Sequence, residues 1–154
     1  MANIPYDELE IGTSASLSKT LTEKDLVMFA AVSGDVNPVH LDEAFAKETM
    51  FEGRIGHGMW TGSVISATLA TVIPGPGTIY LGQSIQFKRP VKLNDEITAT
   101  LTVTEKKDKN KRVTLDCKVV NQEGTVVATG EATVIAPSEK VELERPVLPE
   151  ITIG

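Results

Sequence analysis

The run Met59-Trp-Thr-Gly-Ser-Val-Ile-Ser-Ala-Thr-Leu-Ala-Thr-Val72 carries no charged residue, and its side chains are small or apolar all the way round. A helix over these residues has no polar face and belongs inside a fold. Pro74-Gly75-Pro76-Gly77 ends it. The apolar stretch, counted to Ile73, is shorter than the ~20 residues of a membrane span and is broken by Thr61, Gly62, Ser63, Ser66, Thr68 and Thr71. It therefore needs protein around it.

The chain after this helix supplies that cover. Ile97, Ala99, Leu101 and Val103 alternate with Thr98, Thr100, Thr102 and Thr104. Val113, Leu115, Cys117 and Val119 alternate with Thr114, Asp116 and Lys118, and Ala128, Gly130, Ala132 and Val134 alternate with Thr129, Glu131 and Thr133. A period of two marks half-buried antiparallel strands. Tyr80 to Val91 is a fourth strand, ending at Pro90, and Lys107–Asn110 and Asn121–Gly124 are hairpin turns. From Pro137 the residues read as an extended tail.

Upstream, residues 7–20 form a weak strand. Thr22 and Asp25 open a short helix over 23–33, which Gly34 stops. Residues 34–40 are a loop, because Pro38 pushes Asn37 out of helical conformation. Asp42 caps a second short helix to Lys47, and 51–58, with three glycines, is irregular. The expected class is α+β, a curved antiparallel sheet wrapped around one buried helix. A single domain covers 1–136 and the tail 137–154.

Composition narrows the function. At 154 residues one core suffices without a staple or metal. A net charge of −6 and 5% aromatic residues argue against nucleic acid and membrane surfaces as partners. The lone Cys117 forms no internal disulfide and fits a reducing compartment. No apolar segment follows a basic start, so we expect no signal peptide and a cytoplasmic protein.

Between Glu52 and Asp95 there is no Asp or Glu, so the buried helix brings no carboxylate. Both histidines, His40 and His57, precede it, and Asp35 lies five residues before His40. A loop fixed by Pro38 can aim Asp35 and His40 at one water for general acid–base catalysis. Gly58, at the helix N-terminus, offers an N–H to a developing oxyanion and lets a carbonyl approach closely. Each element also has a plain structural reading. Asp-x-Asn-Pro-x-His is a turn motif, and His57 fits a hydrogen-bonded structural role. Ser66 fits helix–sheet packing. Lys106, Lys107, Lys109, Lys111 and Arg112 fit a solvated hairpin tip.

Taken together, residues 29–59 (Phe-Ala-Ala-Val-Ser-Gly-Asp-Val-Asn-Pro-Val-His through Gly-His-Gly-Met) resemble the MaoC-type dehydratases, and among them the single-domain (R)-specific enoyl-CoA hydratases. Ile79-Tyr-Leu-Gly-Gln-Ser-Ile-Gln-Phe-Lys-Arg-Pro-Val91 is similar to the strand after their central helix. The resemblance covers about residues 8–136. It departs at Asn94-Asp95, where the family usually has Gly-Asp.

The resemblance implies a hot-dog fold, a homodimer and syn hydration of a trans-2-enoyl thioester to the (R)-3-hydroxyacyl thioester. It places the catalytic pair on Asp35 and His40, the oxyanion N–H on Gly58, a supporting serine on Ser66, and Asn37-Pro38 in the substrate loop. We expect no cofactor and no metal. Trp60 and Leu69 are candidates to line the acyl pocket. The substrate is expected to be acyl-CoA. The alternatives are dehydration of a substrate on acyl carrier protein, a hot-dog thioesterase, against which the carboxylate-free stretch counts, and a non-catalytic thioester sensor.

Overall fold

A computed structural model of the chain describes residues 1–153. Five strands, β1 (Ser14–Thr20), β2 (Ile79–Phe87), β3 (Glu96–Lys107), β4 (Arg112–Val120) and β5 (Val126–Ile135), form one antiparallel sheet in the order β1-β3-β4-β5-β2. Alternation decides the two faces as expected. Ile97, Ala99, Leu101 and Val103 of β3 and Val113, Leu115, Cys117 and Val119 of β4 are buried. The other face is hydroxylated: Ser14, Ser16 and Ser18 each meet a threonine across the β1–β3 pair, at 3.1, 2.7 and 2.7 Å.

The apolar face packs on α4 (Gly58–Thr71), whose Trp60, Val64, Ile65 and Leu69 share one core with Leu101, Leu115 and Val134. This is the hot-dog arrangement. Three helices precede α4. They are α1 (Glu23–Ser33), capped by Thr22 Oγ1 accepting from the Asp25 N–H at 3.1 Å, α2 (Pro38–Leu41), and α3 (Glu43–Lys47), capped by Asp42 Oδ1 at 3.1 Å.

Several local expectations are corrected. Only 14–20 of the segment 7–20 is strand; Tyr6–Glu8 is a 3-10 turn and the chain reverses at Gly12, φ +95°. The loop expected over 34–40 ends at Asn37, because proline, which lacks an N–H, suits the first position of a helix and starts α2 there. The fourth strand stops at Phe87, short of Pro90. In this chain α4 is not covered on every side: Gly58, Met59, Ser63 and Ala70 are exposed, because β1, β3 and β2 wrap only part of its circumference.

The closing segment is anchored at its start. Asn3 is buried and receives the Val141 N–H on Oδ1 at 2.9 Å, while its Nδ2 donates to the carbonyls of Glu139 and Pro76 at 2.8 and 3.0 Å. Ala2 and Glu142 form a bridge. Beyond it, residues 144–153 are exposed and carry no regular structure.

Candidate active site

The site begins where α1 ends. Gly34 takes the left-handed conformation, φ +80°, and its N–H closes the helix on Ala30 O at 2.9 Å. The chain then turns sharply. The Asp35 N–H donates to Ser33 Oγ and the Asn37 N–H to Asp35 Oδ1, both at 3.1 Å. Asn37 Oδ1 accepts from the Val39 N–H at 3.1 Å and caps α2. One carboxylate oxygen of Asp35 is thus tied to the loop, while Oδ2 faces His40 Nε2 at 3.6 Å.

His40 is buried, 7% exposed. Its Nδ1 lies 2.8 Å from the carbonyl oxygen of Ile55, which can only accept, so Nδ1 carries the proton in the neutral ring. Nε2 then presents a lone pair toward Asp35 Oδ2. Two acceptors 3.6 Å apart do not bond each other, but both can accept from one water between them.

Residues 54–57 fix the far side. Arg54 donates from Nε to Glu43 Oε2 at 3.1 Å and from Nη2 to Glu23 Oε1 at 3.0 Å, joining α3 to α1. Burial lowers its pKa, but the two carboxylates outweigh burial and the guanidinium is held above its ordinary value. Ile55 bridges Lys92, and the Gly56 N–H donates to Val91 O at 2.7 Å. These contacts set the Ile55 carbonyl for His40 and bring His57 to the start of α4.

His57 is 4% exposed, and its ring stacks on that of His40. Its Nε2 donates to the main-chain carbonyl of Asp35 at 2.9 Å; its Nδ1 is buried and has no partner. Asp35, His40 and His57 bring ligand-capable atoms within 4.8 Å of one another. One nitrogen of each ring is committed to a carbonyl, which leaves His40 Nε2 and His57 Nδ1.

No side chain caps α4, so the Gly58 N–H is among the helix's unpaired donors. It opens on a cavity of about 360 Å³ lined by Phe51, Ile55, His57, Gly58, Thr61, Phe87, Lys88 and Arg89. A Cβ on Gly58 would stand 3.1 Å from the Phe87 ring. A second cavity, of about 470 Å³, lies along α4 between Phe29, Met59, Ser63, Ser66, Tyr80 and Ile85.

The structure therefore brings Asp35 and His40 together as expected and places Gly58 at a cavity with a free N–H. Ser66 faces the second cavity. Asn37 turns its side chain to its own helix end. Trp60 and Leu69, expected to line the acyl pocket, are 4% and 1% exposed in the core and line neither cavity. Sequence reasoning missed the role of Arg54 and the stacking of His57, which join residues many positions apart and leave no periodic signal.

Known proteins resemble this chain over most of its length. The family model described as "MaoC like domain" matches residues 8–127. The (R)-specific enoyl-CoA hydratase of Rhodospirillum rubrum is 47% identical over 135 residues, 86% of this chain and 92% of its own length. That of Aeromonas caviae is 46% identical over 129 residues, 84% of this chain and 96% of its own. The solved structure of R-hydratase PhaJ1 from Pseudomonas aeruginosa, in the unliganded form, superposes with a TM-score of 0.96 at 55% identity, covering 99% of this chain and 98% of its own. With a matched domain over most of its length and an Asp35–His40 pair set beside the start of its central helix, this chain belongs to the MaoC-like family.

Proposed function

We propose that this protein is an (R)-specific enoyl-CoA hydratase, a hydro-lyase that adds water reversibly across trans-2-enoyl-CoA to give (R)-3-hydroxyacyl-CoA. The observation that carries the mechanism is the acceptor pair Asp35 Oδ2 and His40 Nε2, 3.6 Å apart and buried on the histidine side. One water donating to both is held with its oxygen free to attack the β-carbon. Asp35 takes a proton from the water. His40 orients the water, receives that proton from Asp35 on its free Nε2 and delivers it to the α-carbon on the same face, so both groups end as they began and the remaining O–H of the water becomes the product hydroxyl. The two roles are exchangeable within a pair that shares one water. The enolate-like oxygen that develops on the thioester is received by the Gly58 N–H, aided by the α4 dipole. The second cavity, with Ser66 on its wall, has the apolar lining an acyl chain requires.

We further infer that the working unit is a homodimer in the cytoplasm. The edge strand β2 is exposed along its length except Ile85, with Ile79 at 56% and Phe87 at 50% exposure, and an open edge of this kind pairs with a second copy. The buried Cys117 thiol and the absence, among the described residues, of a helix able to cross a membrane support the compartment.

The test is hydration of enoyl-CoA thioesters of increasing length, followed by loss of the conjugated thioester's ultraviolet absorbance. The product is then offered to an S-specific 3-hydroxyacyl-CoA dehydrogenase. We expect hydration with no NADH signal; strong NADH formation overturns the (R) assignment.

A further inference from the structure

The cavity that holds the Gly58 N–H has a second chemical character at its rim. β2 ends at Phe87, and the next two residues are both cations, Lys88 and Arg89. Their backbone is pinned: both N–H groups donate to the Val127 carbonyl, at 2.8 and 3.3 Å, and Pro90 stiffens the exit. Lys88 Nζ bonds the neutral Gln86 Oε1 at 2.7 Å, and Arg89 Nη1 bonds the Lys88 carbonyl at 3.2 Å. Among the described residues neither cation meets a carboxylate.

Of the 15 Lys and Arg, only Lys19, Arg54, Lys107 and Lys140 pair with a carboxylate among the described residues, so what sets Lys88 and Arg89 apart is their place together on the wall of this cavity. The stretch 53–94 around them holds no Asp or Glu, so no acid close in sequence competes for either cation. Asp95 and Glu123 share an adjoining depression with Arg89 without pairing with it; Asp95 Oδ2 accepts the Lys92 N–H and Oδ1 the Gln122 amide, each at 2.8 Å. Two cations without a carboxylate partner on a fixed turn, beside a mostly apolar cavity, are suited to an anion at one end of a long apolar ligand.

We propose that Lys88 and Arg89 form a subsite for the phosphates at the nucleotide end of a CoA thioester whose reactive end lies at Gly58. This deepens the hydratase reading and rests on it for the identity of the ligand. Lys88 supplies a mobile point charge, and Arg89 a planar fork that can take two phosphate oxygens.

Calorimetric titration of CoA, 3′-dephospho-CoA and pantetheine into the wild type, Lys88→Gln/Arg89→Gln and a charge-matched Lys107→Gln/Lys109→Gln control decides the matter. The control lies on the β3–β4 hairpin, at the opposite end of the sheet from Phe87. The wild type should prefer CoA to pantetheine by roughly tenfold or more, the scale of a few exposed ion pairs, and added salt should erode the preference. Lys88→Gln/Arg89→Gln should lose about that factor, and the control should keep it. Equal wild-type affinity for CoA and pantetheine overturns the subsite. So does an equal loss in the control, which would indicate net charge alone. Retained CoA preference in Lys88→Gln/Arg89→Gln, with loss of affinity for an acyl carrier protein, overturns it in favour of a protein partner. Binding is read without turnover, so failure to hydrate enoyl-CoA would sink the hydratase reading and leave these results to judge the subsite.

Discussion

The imidazole of His57 stacks on that of His40, with ring centroids 3.7 Å apart and planes inclined by 23°. Phe29 meets the His57 ring at 5.0 Å. The same ring donates to the Asp35 main-chain carbonyl. One side chain outside the proposed acid–base pair therefore touches both of its members: the ring of one and the backbone of the other. His57→Phe keeps an aromatic surface against His40 but loses the hydrogen bond; His57→Ala loses both. Misplacement by an ångström can cost on the order of 10²-fold, so His57→Ala should lose about that much in kcat, and His57→Phe less. KM should move little in either. Steady-state kinetics with thermal melts decides the matter; a folded His57→Ala protein with wild-type kcat removes the positioning role.

Gly58 should accept alanine poorly and proline not at all. An added Cβ reaches the Phe87 ring at 3.1 Å, a contact the half-exposed ring can relieve by a small shift. Gly58→Ala keeps the N–H and should remain partly active. Gly58→Pro deletes the donor, a loss on the order of 10²–10³ in rate. Near-normal turnover by a folded Gly58→Pro protein would mean the thioester oxygen is held elsewhere.

The sequence made the main elements legible because each has a local signal. α4 shows itself by lacking a polar face, and β3, β4 and β5 by their period of two; Asp35 and His40 stand five residues apart on either side of Pro38, which the structure makes the start of α2 rather than part of a loop. What it left hidden is long-range. Arg54 joins Glu23 and Glu43 from 31 and 11 residues away. Asn3 clasps Val141 across 138 residues. Trp60 and Leu69 could be read as core or pocket, because an apolar side chain on a buried helix satisfies either, and only the packing of the sheet decides between them.

The edge of β2 predicts assembly. Light scattering should give twice the 16.5 kDa chain mass. A lysine placed on this edge, as in Leu81→Lys, should shift the equilibrium toward monomer, since edge charges block strand pairing. A fully active wild-type monomer overturns the dimer.

Cys117 offers a pH test of the core. Burial pushes its thiol up from 9.0 to about 11. Unfolded, the thiol ionises near its ordinary value; folded, it holds its proton to about 11. The native state therefore binds more protons in that window, and the contribution of Cys117 to stability falls as pH rises through it. Tyr80, raised by burial to about 12, acts in the same direction from 10.0 upward. Denaturant unfolding of the wild type and Cys117→Ala across the window should show a shallower alkaline loss in the variant. Rapid alkylation of the folded wild type at neutral pH would contradict the buried thiol.

Asp35→Asn and His40→Gln should each keep the fold and lose activity. Asp35 sits in an exposed turn, so its loss should cost no more than about 1–2 kcal/mol of stability. His40→Gln retains an amide that can donate to the Ile55 carbonyl, the one hydrogen bond the ring makes to the main chain. General acid–base groups contribute ~10²–10⁴ each, and each single variant should fall by at least that range. The double variant discriminates the mechanism. Asp35 Oδ2 and His40 Nε2 stand 3.6 Å apart, with both acceptors open to one water. If they act on that water together, removing the second takes away little that the first had left, as for groups that work as a unit. The double variant should then be only slightly slower than the worse single, whereas independent groups would multiply their losses. The measurement is kcat/KM for all four proteins, with circular dichroism on each. Fully multiplicative losses would overturn the shared water, and a fully active Asp35→Asn enzyme would overturn the site.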